Sequence, residues 1–129
     1  MFPLAITFDF DDTLFSWEWD PEDECLIPGG TNAEILDDLI EAKRKGSQVF
    51  IVTSRMKAYE RAGNGPSIRE WLAQEDVVVD GVYFTEGDFK AETLLELGSI
   101  LHYDDDLAEI EMAEAVGIPT IHVESWAAL

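Results

Sequence analysis

Four short groups of residues in this chain have the types and spacing to do chemistry together. Asp9-Phe10-Asp11-Asp12-Thr13 follows the apolar run Leu4-Ala5-Ile6-Thr7-Phe8. Thr53-Ser54-Arg55 follows Val49-Phe50-Ile51-Val52, Lys90 stands at the start of an expected helix, and Asp104-Asp105-Asp106 follows Ile100–Tyr103. Several carboxylates brought together repel unless a cation or a proton neutralises them. Oxygen ligands without His or Cys favour magnesium, which keeps several waters and takes one or two carboxylates. Hydroxyls and a lysine beside such an ion suit a phosphoryl group, whose anionic oxygens need donors and positive charge.

The elements around these groups explain why they should meet. Leu4–Phe8 and Val49–Val52 read as strands buried on both faces, since each is a continuous apolar run. Phe15 to Gly30 reads as irregular, broken by Pro21, Pro28, Gly29 and Gly30. Thr31 followed by Glu34 has the form of a capping box, and Ile35, Leu36, Leu39 and Ile40 give an apolar helix face that stops at Gly46. A second helix is expected from about Pro66 to Gln74, with a strand at Val82–Phe84 competing with the Val77–Val79 run. A helix over about Phe89–Leu97, the strand Ile100–Tyr103, a helix over about Leu107–Val116 and a strand at Thr120–Val123 complete the series. Strands alternating with helices indicate one doubly wound α/β domain with a mainly parallel sheet and helices on both faces. Ligands bind beyond the carboxyl ends of such strands, where all four groups fall.

Composition narrows the function classes. A chain of 129 residues fits one domain, and 47% hydrophobic content excludes wholesale disorder. No apolar stretch approaches the ~20 residues of a membrane span, and no secretory signal is expected. The lone Cys25 forms no internal disulfide, so a reducing cytoplasm is the expected compartment. A net charge of −20 argues against stable binding of duplex nucleic acid. It fits a solvated acidic surface or a saline source. The positive charge is unevenly spread: Arg55, Lys57, Arg61, Arg69 and Lys90 all fall in the stretch from the second group to the third, where they could hold an anion.

The chain resembles the haloacid dehalogenase-like superfamily of phosphotransferases. The resemblance rests on Asp9-Phe10-Asp11-Asp12-Thr13 (with Leu14 following) as Asp-x-Asp-x-Thr after a strand, Thr53 at a strand end, Lys90 at a helix start and Asp104-Asp105 after a later strand. It covers nearly the whole chain in the right order and implies a Rossmann-like core. It further implies that Asp9 attacks phosphorus, that Asp11 protonates the leaving oxygen and then activates water, and that Thr53 and Lys90 bind the phosphoryl oxygens. Magnesium would be held by Asp9, the backbone carbonyl of Asp11 and an acid of the fourth motif. Asp105 aligns better than Asp104 as that ligand, with Asp104 and Glu109 in support; Thr13 completes the first motif.

Other residues have simpler readings. Asp12 caps or faces water, Asp106 is a helix N-cap, Trp71 is core, and His102 and His122 are packed or solvated. Arg55 and Ser54, beside Thr53, are candidates for substrate contact, as is Trp17. Trp17 and Trp19 could stack on a base or pin their segment to the core.

The gaps between motifs leave no room for a cap domain, so an open site is expected, taking a bulky substrate or covered by a second subunit. Val52-Thr53-Ser54-Arg55, Ile68-Arg69-Glu70-Trp71-Leu72 and His102-Tyr103-Asp104-Asp105 are loosely similar to the phosphatase domain of polynucleotide kinase-phosphatases. The substrate this suggests is a nucleotide or nucleic-acid end; a sugar phosphate or phosphoprotein is the alternative. No kinase-type phosphate loop is present. A signalling receiver domain would carry its acceptor aspartate mid-chain, where Thr53 stands, and a non-catalytic relative would not need every motif intact.

Overall fold

The computed structural model describes residues 3–61 and 63–125. Its main sheet has five strands: β1 (Ala5–Phe8), β4 (Gln48–Thr53), β5 (Gly81–Phe84), β6 (Ser99–Asp104) and β7 (Thr120–His122). Every neighbouring pair is parallel, in the order β5-β4-β1-β6-β7. The chain therefore moves outward from β1 through β4 to β5, then returns across to β6 and β7. This reversal beside the central β1 is a topological switch point, and it opens a crevice at the strand carboxyl ends.

Four helices cover the sheet: α1 (Ala33–Arg44), α2 (Ile68–Glu75), α3 (Ala91–Leu97) and α4 (Leu107–Ala115). Side chains alternate across a strand, and β4 divides accordingly between two cores. Val49 and Ile51 join Phe8 against Leu36 and Leu39 of α1 and Ile68 and Trp71 of α2. Val52 turns the other way, against Leu94 of α3 and Ala113 of α4. Helices on both faces of a parallel sheet are the architecture expected from the sequence. No helix among the described residues is long and apolar enough to cross a membrane.

Residues 15–30 are not irregular. They form an antiparallel hairpin, β2 (Phe15–Asp20) with β3 (Cys25–Thr31), pairing Trp17 with Pro28 and Trp19 with Leu26. The alternation Phe15-x-Trp17-x-Trp19 is the period-two signal of a strand, obscured by Pro28, Gly29 and Gly30. Gly29 is required by space rather than by a turn: a Cβ there would lie 2.9 Å from the Ser16 carbonyl oxygen.

The Thr31–Glu34 capping box does not form either. Asn32 is the N-cap of α1, without a side-chain cap bond. The Thr31 hydroxyl instead donates to Glu75 at 2.6 Å and accepts from the Trp71 indole at 2.9 Å. The reciprocal box is built at Ser67 and Glu70, at the start of α2. Val82–Phe84 is the strand, whereas 77–79 is not. α3 begins at Ala91 with Lys90 as its N-cap, two residues later than the sequence suggests.

Candidate functional site

Asp9 is the first residue beyond β1, and its N–H is tied to the Tyr103 carbonyl of β6 at 2.9 Å. The chain then turns sharply. The Phe10 carbonyl accepts from the N–H groups of Thr13, Leu14 and Phe15, while Asp12 takes a left-handed conformation at φ 60°. This turn brings the Thr13 hydroxyl back to Asp9 Oδ2 at 3.0 Å. Asp12 caps locally, its carboxylate accepting from the Trp17 N–H at 3.1 Å.

The ammonium of Lys90 bridges Asp9 Oδ1 at 2.8 Å and Asp104 Oδ2 at 2.7 Å, with all three side chains buried. Glu109 fixes the lysine's backbone, accepting its N–H at 3.1 Å, and a Glu109 oxygen lies 3.9 Å from the ammonium. Burial works to discharge Lys90, but Asp9 and Asp104 outweigh it and hold it well above the ordinary lysine range. A buried cation survives only with such partners.

Both oxygens of Asp104 are hydrogen-bonded within the protein. Oδ2 also meets His102 Nε2 at 2.8 Å, and Oδ1 accepts the Asp106 N–H at 3.1 Å. Burial works to raise its carboxyl, but the bond from His102 and the charge of Lys90 hold it down at about 2. An ionised Asp104 can only accept, so Nε2 of His102 donates. Nδ1 of His102 meets the Thr7 hydroxyl at 2.8 Å, which meets Ser99 at 2.8 Å. His102 is thus packed, as expected, but it also orients Asp104, a role its place inside a strand does not reveal.

Asp105 is in the opposite state. Burial, a hydrogen bond with Asp9, and the charges of Asp9 and Asp104 push its carboxyl up to about 9. Burial likewise raises Asp9, to about 6, against the pull of Lys90. Oxygens of Asp9, Asp104 and Asp105 all lie within 4.8 Å of one another. These three carboxylates are the oxygen donors that a hard cation would fit, and it would compete with the proton that Asp105 holds. The Asp11 carboxylate is not part of this cluster.

Asp11 faces the hairpin. Arg55 grips it with both arms of its guanidinium, Nε to Oδ2 at 2.8 Å and Nη2 to Oδ1 at 2.7 Å, and the Trp17 indole adds a bond to Oδ1 at 2.9 Å. Arg55 is itself buried over the Phe10 ring, its Nη1 bonded to the Glu60 and Pro66 carbonyls. It is therefore not an open contact at the mouth, as its place beside Thr53 suggests, but a brace between Asp11 and the following loop. Trp17 is no free stacking platform: it is buried against Phe15 and pinned to Asp11. Trp19 is half exposed.

A pocket of about 360 Å³ opens over Asp9, lined also by Ser54, Lys90, Asp105 and the segment Gly87-Asp88-Phe89. Thr53 is buried and does not line this pocket, its hydroxyl accepting the Arg55 N–H at 3.2 Å, while Ser54 forms part of the wall. A hydroxyl that accepts in this way can still donate. The part played by Gly87–Phe89 is not visible in the sequence, because nothing in their composition marks a site. Asp106 is the N-cap of α4, Trp71 is core, and His122 is exposed, contacting the Asp105 carbonyl.

No family model matches the chain, and no curated protein matches it significantly in sequence. Among solved structures it is similar to a chain of the Pnkp1/Rnl/Hen1 complex, with TM-score 0.66 and 16% identity over 95% of this chain. The match spans 47% of that chain, so the present sequence corresponds to about half its length. It is also similar to a hypothetical protein from Xanthomonas campestris, with TM-score 0.56 and 20% identity, covering 98% of this chain and 68% of the other. At these identities the likeness shows a shared α/β fold.

Proposed function

We propose that this chain is a magnesium-dependent phosphomonoester hydrolase that works through an aspartyl-phosphate on Asp9. The observation that carries this reading is the state of Asp9, which lines the pocket with one oxygen held by Lys90, the other by Thr13, and the Asp105 carboxyl against it. The likeness to the haloacid dehalogenase-like superfamily supplies the roles. Asp9 attacks phosphorus, the bond from phosphorus to the ester oxygen breaks, and Asp11 delivers the proton that oxygen needs. Water then attacks the phosphoryl group with Asp11 accepting its proton, and Asp9 returns to a carboxylate as phosphate leaves.

Asp9, Asp105 and the Asp11 carbonyl would hold magnesium, which supplies charge neutralisation at the phosphoryl oxygens. Asp104 and Glu109 support the site through Lys90. Lys90 and Thr53, with Ser54 on the wall, are the donors to the phosphoryl group. Arg55 serves by holding Asp11. The loose sequence resemblance to the phosphatase domain of polynucleotide kinase-phosphatases favours a nucleotide or nucleic-acid end as substrate. We expect magnesium-dependent release of phosphate from a generic aryl phosphate, lost on Asp9→Asn. Hydrolysis that persists in Asp9→Asn would remove Asp9 as nucleophile.

A further inference from the structure

His102 is fully buried, and the reaction outlined above makes no use of it. It lies in β6, paired in register with Thr7 of the central β1. Phe8 and Tyr103 face α1 and α2, so by strand alternation their neighbours Thr7 and His102 face α3 and α4. On that face Val52, Leu94, Ala113 and Ile118 form an apolar layer. An imidazole and hydroxyls buried there are costly unless they are hydrogen-bonded. They are bonded to one another: Ser99 Oγ to the Thr7 hydroxyl, that hydroxyl to His102 Nδ1, and His102 Nε2 to Asp104 Oδ2, each at 2.8 Å. The run ends on the carboxylate that shares Lys90 with Asp9. Apolar side chains would fill this layer with no bonds to satisfy, so packing alone does not account for the polar run.

We propose that His102 is a positioning residue of the site, fixing Asp104 and through it Lys90 and the cation-binding carboxylates, with Thr7 as its anchor. The inference rests on the phosphatase reading above and adds to it a residue from inside the sheet. Asp104 takes three donors: the Asp106 N–H on Oδ1, and Lys90 and His102 on Oδ2. The first two come from the starts of α4 and α3. Only His102 reaches Oδ2 from within the sheet, where strand pairing and Thr7 hold it. The Lys90 ammonium is shared between Asp104 and Asp9, so a displaced Oδ2 would leave it bound to Asp9 alone. Asp104 also stands with Asp9 and Asp105 in the oxygen group that a cation would fit. Losing the hydrogen-bond partner of a carboxylate in such a group costs about 10–100-fold in metal affinity or activity.

Three variants test this, with magnesium binding followed by calorimetry and folding by thermal melting. His102→Leu removes the donor to Asp104, and we expect its magnesium Kd to rise about 10–100-fold in protein that still melts cooperatively. At saturating magnesium its kcat for 4-nitrophenyl phosphate should fall about tenfold or more, because Lys90 is no longer set by both carboxylates. His102→Gln keeps an amide N–H that can donate where Nε2 did. Its Kd should therefore return to within a few-fold of the wild type. Thr7→Val keeps the donor but releases the imidazole, so its Kd should lie between those of wild type and His102→Leu. Should His102→Leu fail to fold, Thr7→Val carries the test, and an unchanged Kd there overturns the proposal.

A histidine that merely fills the sheet gives a different pattern. Both His102 variants would then melt at lower temperature while magnesium Kd kept its wild-type value. That result, or a His102→Gln that binds magnesium no better than His102→Leu, overturns the positioning role and leaves the phosphatase reading intact. The binding readout is independent of turnover. If the wild type releases no phosphate yet Kd rises in the order given, the phosphatase reading fails and the role of His102 stands. A wild type that binds no magnesium overturns the metal site and the role of His102 together.

Discussion

Asp9 and Asp11 are two residues apart in sequence but occupy different kinds of surroundings. Asp9 lies in a buried, highly charged centre, where Lys90, Asp104, His102 and Thr7 form one continuous chain of hydrogen bonds into the sheet. Asp11 is about a third exposed and is held by an arginine and an indole that belong to a loop and a hairpin. Under the phosphatase reading proposed above, the first surroundings would fix a nucleophile and the second would hold a group that gives and takes a proton. Strand ends carry the one, and a loop and a hairpin brace the other.

The largest test of this contrast is to break the buried centre. Lys90→Met removes the cation that Asp9 and Asp104 share. Stripping one partner from a buried ionic cluster costs about 3–5 kcal/mol, so urea unfolding should show a loss of that order in metal-free protein. Magnesium should return part of it, because a divalent ion can neutralise the carboxylates that the lysine no longer reaches. An unchanged unfolding midpoint would mean that the cluster is hydrated and the contrast with Asp11 is false.

The hairpin side should respond in rate rather than in stability. Removing a general acid–base group costs about 10²–10⁴-fold, and Asp11→Asn should fall in that range with the fold intact. Arg55→Lys keeps a charge but loses the two-armed grip, so a smaller loss is expected. Both losses should shrink for 4-nitrophenyl phosphate, whose leaving oxygen needs little protonation, and grow for alkyl esters. A loss independent of the leaving group would reassign Asp11 to binding.

Legibility in the sequence divides along the same line. Asp9, Thr53, Lys90 and Asp104-Asp105 end strands or start a helix, so apolar periodicity alone places them near one another. The structure groups Asp104 and Asp105 alike with Asp9, their oxygens within 4.8 Å of one another. The Asp11 side is poorly legible, because its partners depend on a hairpin hidden by Pro28 and Gly29 and on the path of the 56–67 loop. Neither has a local sequence rule strong enough to predict it. His102 is hard to read for a different reason: a histidine inside a strand looks like packing unless the residue two positions on is known to be a buried carboxylate.

A proton linkage sharpens the contrast further. Asp105 rises from an ordinary 3.8 to about 9 in the metal-free fold. A group raised on folding contributes stability that is full below its unfolded value and lost as pH climbs through its folded one. Metal-free protein should therefore lose melting temperature between about pH 4 and 9, and magnesium should reduce that loss by taking the proton's place. Calorimetry in buffers of different ionisation heat should detect a proton released as magnesium binds at neutral pH. No release would mean that the Asp9–Asp105 pair is not where the ion goes.

The smallest expected effect tests the indole that joins the hairpin to Asp11. Trp17→Phe keeps most of the buried ring but removes the 2.9 Å bond to Oδ1. One such bond contributes about 0.5–1.5 kcal/mol, and Arg55 still holds both Asp11 oxygens. Unfolding should shift by about that amount, with turnover of an alkyl phosphate falling less than in Arg55→Lys. If Trp17→Phe instead matched Arg55→Lys in rate, the hairpin rather than the arginine would be setting where Asp11 points.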